Sequence, residues 1–443
     1  MNKQEASKLP FYTGLFYFFI RPIARIGIWI YYRKIFMAHL DRIPKDKPVI
    51  LAANHPTGFM EPCVMAVFMK RPLFFLVRGD FFRKPIFNFL MRSLNMIPIF
   101  RARDGNFRDL KSNYESFEAC YQALQQNKTI MIFPEGNAVH EKRLRSIKKG
   151  ISRMAYGAFQ QHPDLEDLYI VPVGISYTYA ERPRSEMMIS CGEAISVRQL
   201  LEETGDHFAT FDRKLRKEVT SKMKENLVHI DEAEDEFLVE QLQQIHRGKV
   251  NYQSIFPVLS SDNSLLEADQ LITQQVKYWD EPKKMELKQM SQAFFQDLEQ
   301  SKIPVEVIAQ PIRFPFWKKL LFGLSTLPVW IAYAFVYIPS RIAKNIADNK
   351  VKRTEFYSPV MLAGHLGTFL IFYIFWFLVS IISGQWWLLL LAVIIGPLAY
   401  GSLVWREQLQ RYIWQQRFQA LPGEKKQALK SSFQSVLEAI QQK

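Results

Sequence analysis

Cysteine is scarce: Cys63, Cys120 and Cys191 are the only three in 443 residues, far apart and odd in number. Such a set builds no disulfide framework and has no metal-ligand spacing, so neither staples nor a metal site are expected, and a reducing compartment is. Acidic residues are outnumbered, 43 Asp and Glu against 57 Lys and Arg, which leaves a net charge of +14. That imbalance points to a negatively charged partner: nucleic acid, anionic lipid or a phosphorylated small molecule. There is no internal repeat and no low-complexity tract. Hydrophobic residues at 48% and aromatics at 14% exclude a disordered or fibrous chain. The length allows two or three folded units.

Charge is missing altogether from Phe356 to Trp405, 50 consecutive residues without Asp, Glu, Lys or Arg. A bilayer span takes roughly 20 apolar residues, so this stretch holds two, about 357–382 and 386–404, divided at Ser383-Gly384-Gln385. A second uncharged run, Leu320–Ser340, is 21 residues long with Pro328 in its middle. Basic residues flank these runs: Lys318 and Lys319, then Arg341, Lys344, Lys350, Lys352 and Arg353, then Arg406 and Arg411. Positive charge at span ends marks the cytoplasmic side. All three clusters share that side only if 357–404 is a two-span hairpin and 320–340 is re-entrant, broken at Pro328, or interfacial. The N-terminal run from Phe11 to Tyr32 is interrupted by Arg21 and Arg25, and reads as an amphipathic interfacial helix without signal-peptide cleavage.

Between these ends, short β-branched and aromatic runs alternate with helical stretches: Pro48–Ala53, Leu73–Val77, Thr129–Phe133, Tyr169–Ile175 and Met187–Cys191. This alternation predicts an α/β layer fold. The expected layout is an N-terminal membrane-associated helix over 1–40, a catalytic domain over 41–200, a helical insertion over 201–312 and a membrane region over 313–443 ending in a cytosolic helix. The positive charge is local. Residues 70–111 hold ten Lys or Arg against three Asp, with Phe74, Phe75, Phe81, Phe82, Phe87 and Phe89 interleaved, and 141–153 hold six against one Glu. A basic surface studded with apolar side chains suits an anionic membrane, where each Lys or Arg contributes about 1 kcal/mol. Nucleic acid is the poorer partner for a chain with membrane spans, and none is expected.

The chemistry concentrates in two loops. Asn54-His55-Pro56-Thr57-Gly58-Phe59-Met60-Glu61 follows the first predicted strand directly. Pro56 and Gly58 favour a turn that brings the Glu61 carboxylate onto the His55 imidazole. Such pairing fixes the tautomer and raises the basicity of the other nitrogen, as a general base for a hydroxyl requires. Phe133-Pro134-Glu135-Gly136 follows a second predicted strand, with Pro ending the strand and Gly permitting a turn.

In combination these residues resemble the glycerophospholipid acyltransferase family, which includes lysophosphatidate and glycerol-3-phosphate acyltransferases. Four segments match its motifs in order over about residues 45–200: 54–61, Ile97-Pro98-Ile99-Phe100-Arg101-Ala102-Arg103-Asp104, Phe133–Gly136 and Val171-Pro172-Val173-Gly174-Ile175. The resemblance implies a mixed sheet flanked by helices. It also implies transfer of a fatty acyl group from acyl-CoA or acyl-carrier protein to the hydroxyl of glycerol-3-phosphate or 1-acylglycerol-3-phosphate, without a cofactor. By match, His55 is the base and Glu61 its orienting acid. Arg101 binds the acceptor phosphate, and Glu135 and Gly136 line the acceptor pocket. Asn54, Arg103, Phe133, Pro134 and Lys148 fall among the substrate-binding positions. A cytosolic thioester places the catalytic domain on the cytosolic face of the inner membrane.

Three departures from the family pattern stand out. The acid is Glu rather than Asp, five residues instead of four separate it from His55, and Asn137-Ala138-Val139 replaces the hydroxyl- or arginine-bearing residues after Gly136. The five-residue gap, the stretch Ala180–Ile195 and Lys148 shortly before a Gly look like the glycerol-3-phosphate/dihydroxyacetone-phosphate branch. The Asn137–Val139 departure admits another lysolipid or an acylated amino acid as acceptor. A catalytically silent membrane scaffold is the reading from a different class, and an intact His55/Glu61 pair opposes it.

Overall fold

The computed structural model describes residues 13–100, 107–205, 207–249, 258–310 and 314–441. The chain divides into two units. The first comprises residues up to His229, together with Val258–Asn263 and Thr354–Pro359, which return to it from far along the sequence.

In the first unit, α1 (Thr13–Tyr31) leads into β1 (Lys34–Ala38), β2 (Val49–Ala53), α2 (Met60–Phe68) and β3 (Leu73–Arg78). Next come α3 (Pro85–Ser93), β4 (Met96–Ile99), α4 (Phe107–Gln125), β5 (Thr129–Ile132) and α5 (Gly150–Gln161). The unit continues with β6 (Tyr169–Tyr177), β7 (Glu186–Cys191), β8 (Ile195–Ser196), α6 (Val197–Thr204) and α7 (Phe208–Lys224). Strand β9 (Leu259–Ser260) completes the sheet. The described strands run in the order β4-β3-β5-β2-β6-β7-β1-β9, with β8 paired to β6. Pairing is parallel except for β6 against β7 and β8, so the sheet is mixed.

Strand β2 sits between β5 and β6, parallel to both, and all five of its residues are buried. Burial on both faces explains why Val-Ile-Leu-Ala-Ala is a continuous apolar run rather than an alternating one. Helix α7 turns Phe211, Leu215, Val219 and Met223 into the core at four-residue spacing, each stabilising by about 1.5–3 kcal/mol on burial. Arg21 and Arg25, which interrupt the apolar run of α1, have a purpose here. Arg21 Nε donates to the Val67 carbonyl at 3.0 Å, Arg25 Nη2 donates to the same oxygen at 2.9 Å, and Arg21 also reaches the Met69 carbonyl. These are the unpaired carbonyls at the end of α2, where a cation also meets the negative pole of the helix. The opposite side of α1 exposes Phe18, Phe19, Ile23 and Ile26.

The second unit contains α8 (Glu236–Arg247), α9 (Ser264–Tyr278), α10 (Glu281–Ser301), α11 (Val305–Ala309), α12 (Phe316–Lys350), α13 (Tyr357–Ser383), α14 (Trp387–Ala420) and α15 (Gly423–Gln441). The first residues of α13 belong with the first unit. Helices α8, α10 and α15 share a core that includes Leu242, Phe294, Leu298, Phe433 and Leu437. Asp280 starts α10 by accepting from the Lys283 amide at 3.2 Å. Among the described residues three helices, α12, α13 and α14, are long and apolar enough to cross a membrane.

The sequence reading and the structure differ in three places. Lys34–Ala38, grouped by sequence with the N-terminal helix, is a fully buried strand, because Ile35-Phe36-Met37 is a short apolar run that fits between β7 and β9. The stretch read as a separate insertion from residue 201 gives α7 and β9 to the first unit. Pro328 does not break α12, which runs unbroken through both Pro328 and Pro339. A proline removes only one bond from the helix ladder. The neighbouring hydroxyls of Ser325 and Thr326 bond back to the carbonyls of Leu321 and Phe322, each at 2.7 Å. A re-entrant pair broken at Pro328 is therefore excluded.

Candidate active site

Because β2 and β5 are parallel and in register, with Ala52 opposite Ile132, the loops that leave their carboxyl ends emerge side by side. One carries His55 and the other Glu135, at the sheet edge where open α/β sheets place their ligands. The longer β6 runs on beyond β2 and supplies a floor. Asn54 Nδ2 donates to the Ile175 carbonyl at 2.8 Å, and the Ile175 amide donates to Asn54 Oδ1 at 2.7 Å. Both ends of this carboxamide bond to β6, so Asn54 clamps the loop onto that strand.

The turn predicted from Pro56 and Gly58 is present. His55 Nδ1 lies 3.3 Å from Glu61 Oε2, close in distance although short of an aligned hydrogen bond. Glu61 is fully buried in the first turn of α2, where the positive pole of the helix favours its charge. Its other oxygen, Oε1, accepts from the Thr57 amide at 2.6 Å and from the Tyr177 hydroxyl at 3.2 Å. Burial, and next the Glu61 charge, hold the Tyr177 phenol well above its ordinary pKa, so it stays protonated and donates. The Thr57 hydroxyl accepts from the Met60 amide at 3.2 Å and fixes the entry into α2. The His55 imidazole stacks on the Phe133 ring, with centroids 3.9 Å apart and planes 15° apart. The Val139 amide donates to the His55 carbonyl at 3.1 Å, which ties the two loops together.

In the second loop Gly136 has φ +80°, the left-handed region that favours glycine, and its amide closes a turn onto the Phe133 carbonyl at 3.0 Å. Glu135 is buried against Arg145, whose Nη2 lies 2.8 Å from Oε2 and whose Nε lies 2.9 Å from the same oxygen. Burial raises the Glu135 carboxyl to about 7, against the lowering pull of Arg145 and of the His55 backbone amide. Arg145 also pairs with Glu141 at 3.3 Å and donates to the Asn137 carbonyl. The Lys148 amide donates to the Pro134 carbonyl at 2.8 Å, its side-chain Cγ lies beside Gly136, and its exposed ammonium donates to Ser146 Oγ at 3.0 Å.

His55, Glu61, Phe133, Pro134, Glu135, Gly136 and Lys148 thus converge on one edge of the sheet. Arg101 and Arg103 lie outside the described residues. Three contributors were not read from the sequence: Thr57 and Tyr177, which hold Glu61, and Arg145, which holds Glu135. Thr57 carried a signal, a hydroxyl residue just ahead of a helix start with an acid four positions on. Tyr177 carried none, since its link to Glu61 spans 116 residues.

A mixed sheet with a loop histidine backed by a buried carboxylate is the frame of an acyltransferase domain, and the Acyltransferase family model matches residues 34–176. Through these residues the chain is similar to glycerophospholipid acyltransferases. The 1-acyl-sn-glycerol-3-phosphate acyltransferase of Borreliella burgdorferi is 26% identical over 141 residues, covering 32% of this chain and 54% of that protein. Glycerol-3-phosphate O-acyltransferase 1 of Saccharomyces cerevisiae is 32% identical over 81 residues, 18% of this chain and 10% of that protein. The chain therefore spans about half or less of the length of these curated relatives. The crystal structure of the 1-acyl-sn-glycerophosphate acyltransferase PlsC from Thermotoga maritima aligns with 46% of this chain and 77% of its own, at 21% identity and a TM-score of 0.33.

Proposed function

We propose that the protein transfers a fatty acyl group from acyl-CoA or acyl-carrier protein to the hydroxyl of glycerol-3-phosphate or 1-acylglycerol-3-phosphate at a membrane. The observation that carries this is the 3.3 Å approach of His55 Nδ1 to the buried Glu61 carboxylate. With its proton on Nδ1, His55 presents the lone pair of Nε2 to an acceptor hydroxyl. Nε2 takes the hydroxyl proton as the oxygen attacks the thioester carbonyl. The tetrahedral intermediate then expels the thiolate, which recovers the proton from the imidazolium. Glu61 stabilises that imidazolium without itself taking up the proton. The exposed Lys148 beside the second loop suits a phosphorylated acceptor, and the motif match assigns the same task to Arg101.

The test is an acyl-transfer assay of the purified full-length protein with labelled acyl thioester. It compares glycerol-3-phosphate and lysophosphatidate side by side, with a lysophospholipid and an N-acyl amino acid as further arms. Transfer to either phosphorylated glycerol supports the proposal. Transfer confined to the last two arms moves the acceptor class, as the Asn137–Val139 departure allows. No transfer in any arm favours the scaffold.

We further propose that α13 and α14 form a transmembrane hairpin with its turn outside, and that α12 keeps both ends on the cytosolic side with the catalytic unit. The basic clusters on either side of α12 support this. So does Arg406, the first charge after the apolar run of α14, which lies 4.8 Å from the Tyr333 ring in the middle of α12. Single cysteines replacing Lys350, Ser383 and Ala420 test it with an impermeant thiol reagent on intact cells. Burial pushes the native thiols of Cys63, Cys120 and Cys191 up to about 12, so they remain protonated and form a quiet background. Labelling is expected at position 383 alone. Labelling at 350 from outside would mean that α12 crosses the bilayer.

A further inference from the structure

Residues Thr354–Pro359 follow α12 and include the first residues of α13, yet they pack within the catalytic unit. Their contacts fall on the loop that carries His55. The Gly58 amide donates to the Glu355 carbonyl at 2.7 Å. The Phe356 ring covers Gly58 so closely that a Cβ there would meet Cδ1 at 2.3 Å and Cε1 at 2.4 Å. The backbone of Gly58 is not in the left-handed region, so this approach, rather than a backbone angle, is what requires glycine. Beyond the ring, Ser358 is buried and its hydroxyl donates to the Ala180 carbonyl at 2.5 Å, beside the phenol of Tyr31. The segment is thus held at one end by the catalytic loop and at the other by the main chain just beyond β6.

We infer that Thr354–Pro359 is a positioning strap for the reaction, which sets the His55–Glu61 pair through Gly58; this rests on the acyl-transfer reading above. The loop between Asn54 and Glu61 contains Pro56 and Gly58. Asn54 fixes the start of the loop on β6, and Thr57 fixes its join to α2. Gly58 is the point between them with no side chain, and the strap supplies both the hydrogen-bond acceptor and the apolar cover that this point lacks. A displaced loop keeps its residues and its substrate pockets but loses the alignment of imidazole and carboxylate. The loss falls on turnover rather than on binding, since about 1 Å of misplacement can cost on the order of 100-fold. Phe356 and Glu355 meet the loop at Gly58, and the strap acts through that contact.

The test is a double-mutant cycle on the full-length protein in lipid nanodiscs. Phe356→Ala is expected to lower kcat about 10-fold to 100-fold, with KM for both substrates within about twofold. Phe356 is 37% exposed, so part of its apolar surface is lost from cover in Phe356→Ala. Tm is measured on the same preparations to separate that loss from the change in kcat. Phe356→Leu, which keeps apolar cover, recovers most of the rate. Gly58→Ala overlaps the ring and loses more activity than Phe356→Ala. The pair Gly58→Ala/Phe356→Ala removes that overlap and returns to the level of Phe356→Ala. Hydrogen exchange gives a readout independent of activity: amides 57–60 exchange at least about tenfold faster in Phe356→Ala than in the unaltered protein. Unchanged exchange with unchanged kcat overturns the strap, as does a double variant no better than Gly58→Ala. Faster exchange in a protein that transfers no acyl group leaves the strap standing and overturns the acyl-transfer reading instead.

Discussion

Replacing His55 by alanine is expected to lower acyl-transfer turnover by about 10²–10⁴-fold, the range a positioned general base supplies. His55 is placed to take the acceptor proton through the nitrogen opposite its contact with Glu61. The variant should still fold. The imidazole Nδ1 has no hydrogen-bond partner among the described residues, and removal of the imidazole costs the stack on Phe133, worth on the order of 1 kcal/mol. The loop keeps its clamp from Asn54 to β6 and its backbone tie to Val139. Turnover measured beside Tm and membrane recovery separates lost chemistry from lost protein. Alanine at 55 with near-normal turnover would remove the base mechanism, whatever the acceptor proves to be.

What the sequence made legible follows from how local each signal is. The central strands β2, β5 and β6 stood out because burial on both faces forces apolar runs, and a run is visible without knowing its neighbours. The His55–Glu61 turn was legible for the same reason: Pro56 and Gly58 write it into eight consecutive residues. Strand β1 was hidden because it continues the apolar N-terminal helix with only Tyr32 and Arg33 between, and its identity is decided by β7, some 150 residues away. Strand β9 is two residues long and has no periodicity to read.

The supports of the site were less visible than its chemistry. Tyr177 and Glu61, like Gly58 and Glu355, meet only when the chain has folded back over more than a hundred residues. Arg145 sits in a basic stretch that reads as a membrane-facing surface, yet its guanidinium turns inward to Glu135. Charge counting gives the sign of a region but cannot say which member leaves the surface. Arg21 and Arg25 make the same point, since they read as interruptions of an apolar helix and serve as caps for its neighbour.

Glu61→Gln is expected to reduce turnover nearly as much as loss of the histidine, about 10²–10³-fold, while leaving the fold intact. Glutamine has the size of glutamate, and its amide oxygen can still accept from the Thr57 amide and the Tyr177 hydroxyl, which together fix its orientation. That orientation turns the NH2 group towards Nδ1. A donor facing Nδ1 selects the tautomer with its proton on Nε2, and a protonated Nε2 cannot take the acceptor proton. The variant also lacks the negative charge that stabilises the imidazolium formed during attack. Glu61→Asp keeps the charge but is one methylene shorter, on a helix turn anchored by Thr57. It cannot hold Thr57, Tyr177 and His55 together, and turnover should fall between those of the unaltered protein and Glu61→Gln. The five residues between His55 and this acid thus go with the longer side chain. The three proteins are compared at saturating acceptor with Tm measured on the same preparations. A Gln variant with full turnover would show that the carboxylate shapes the loop and takes no part in the chemistry.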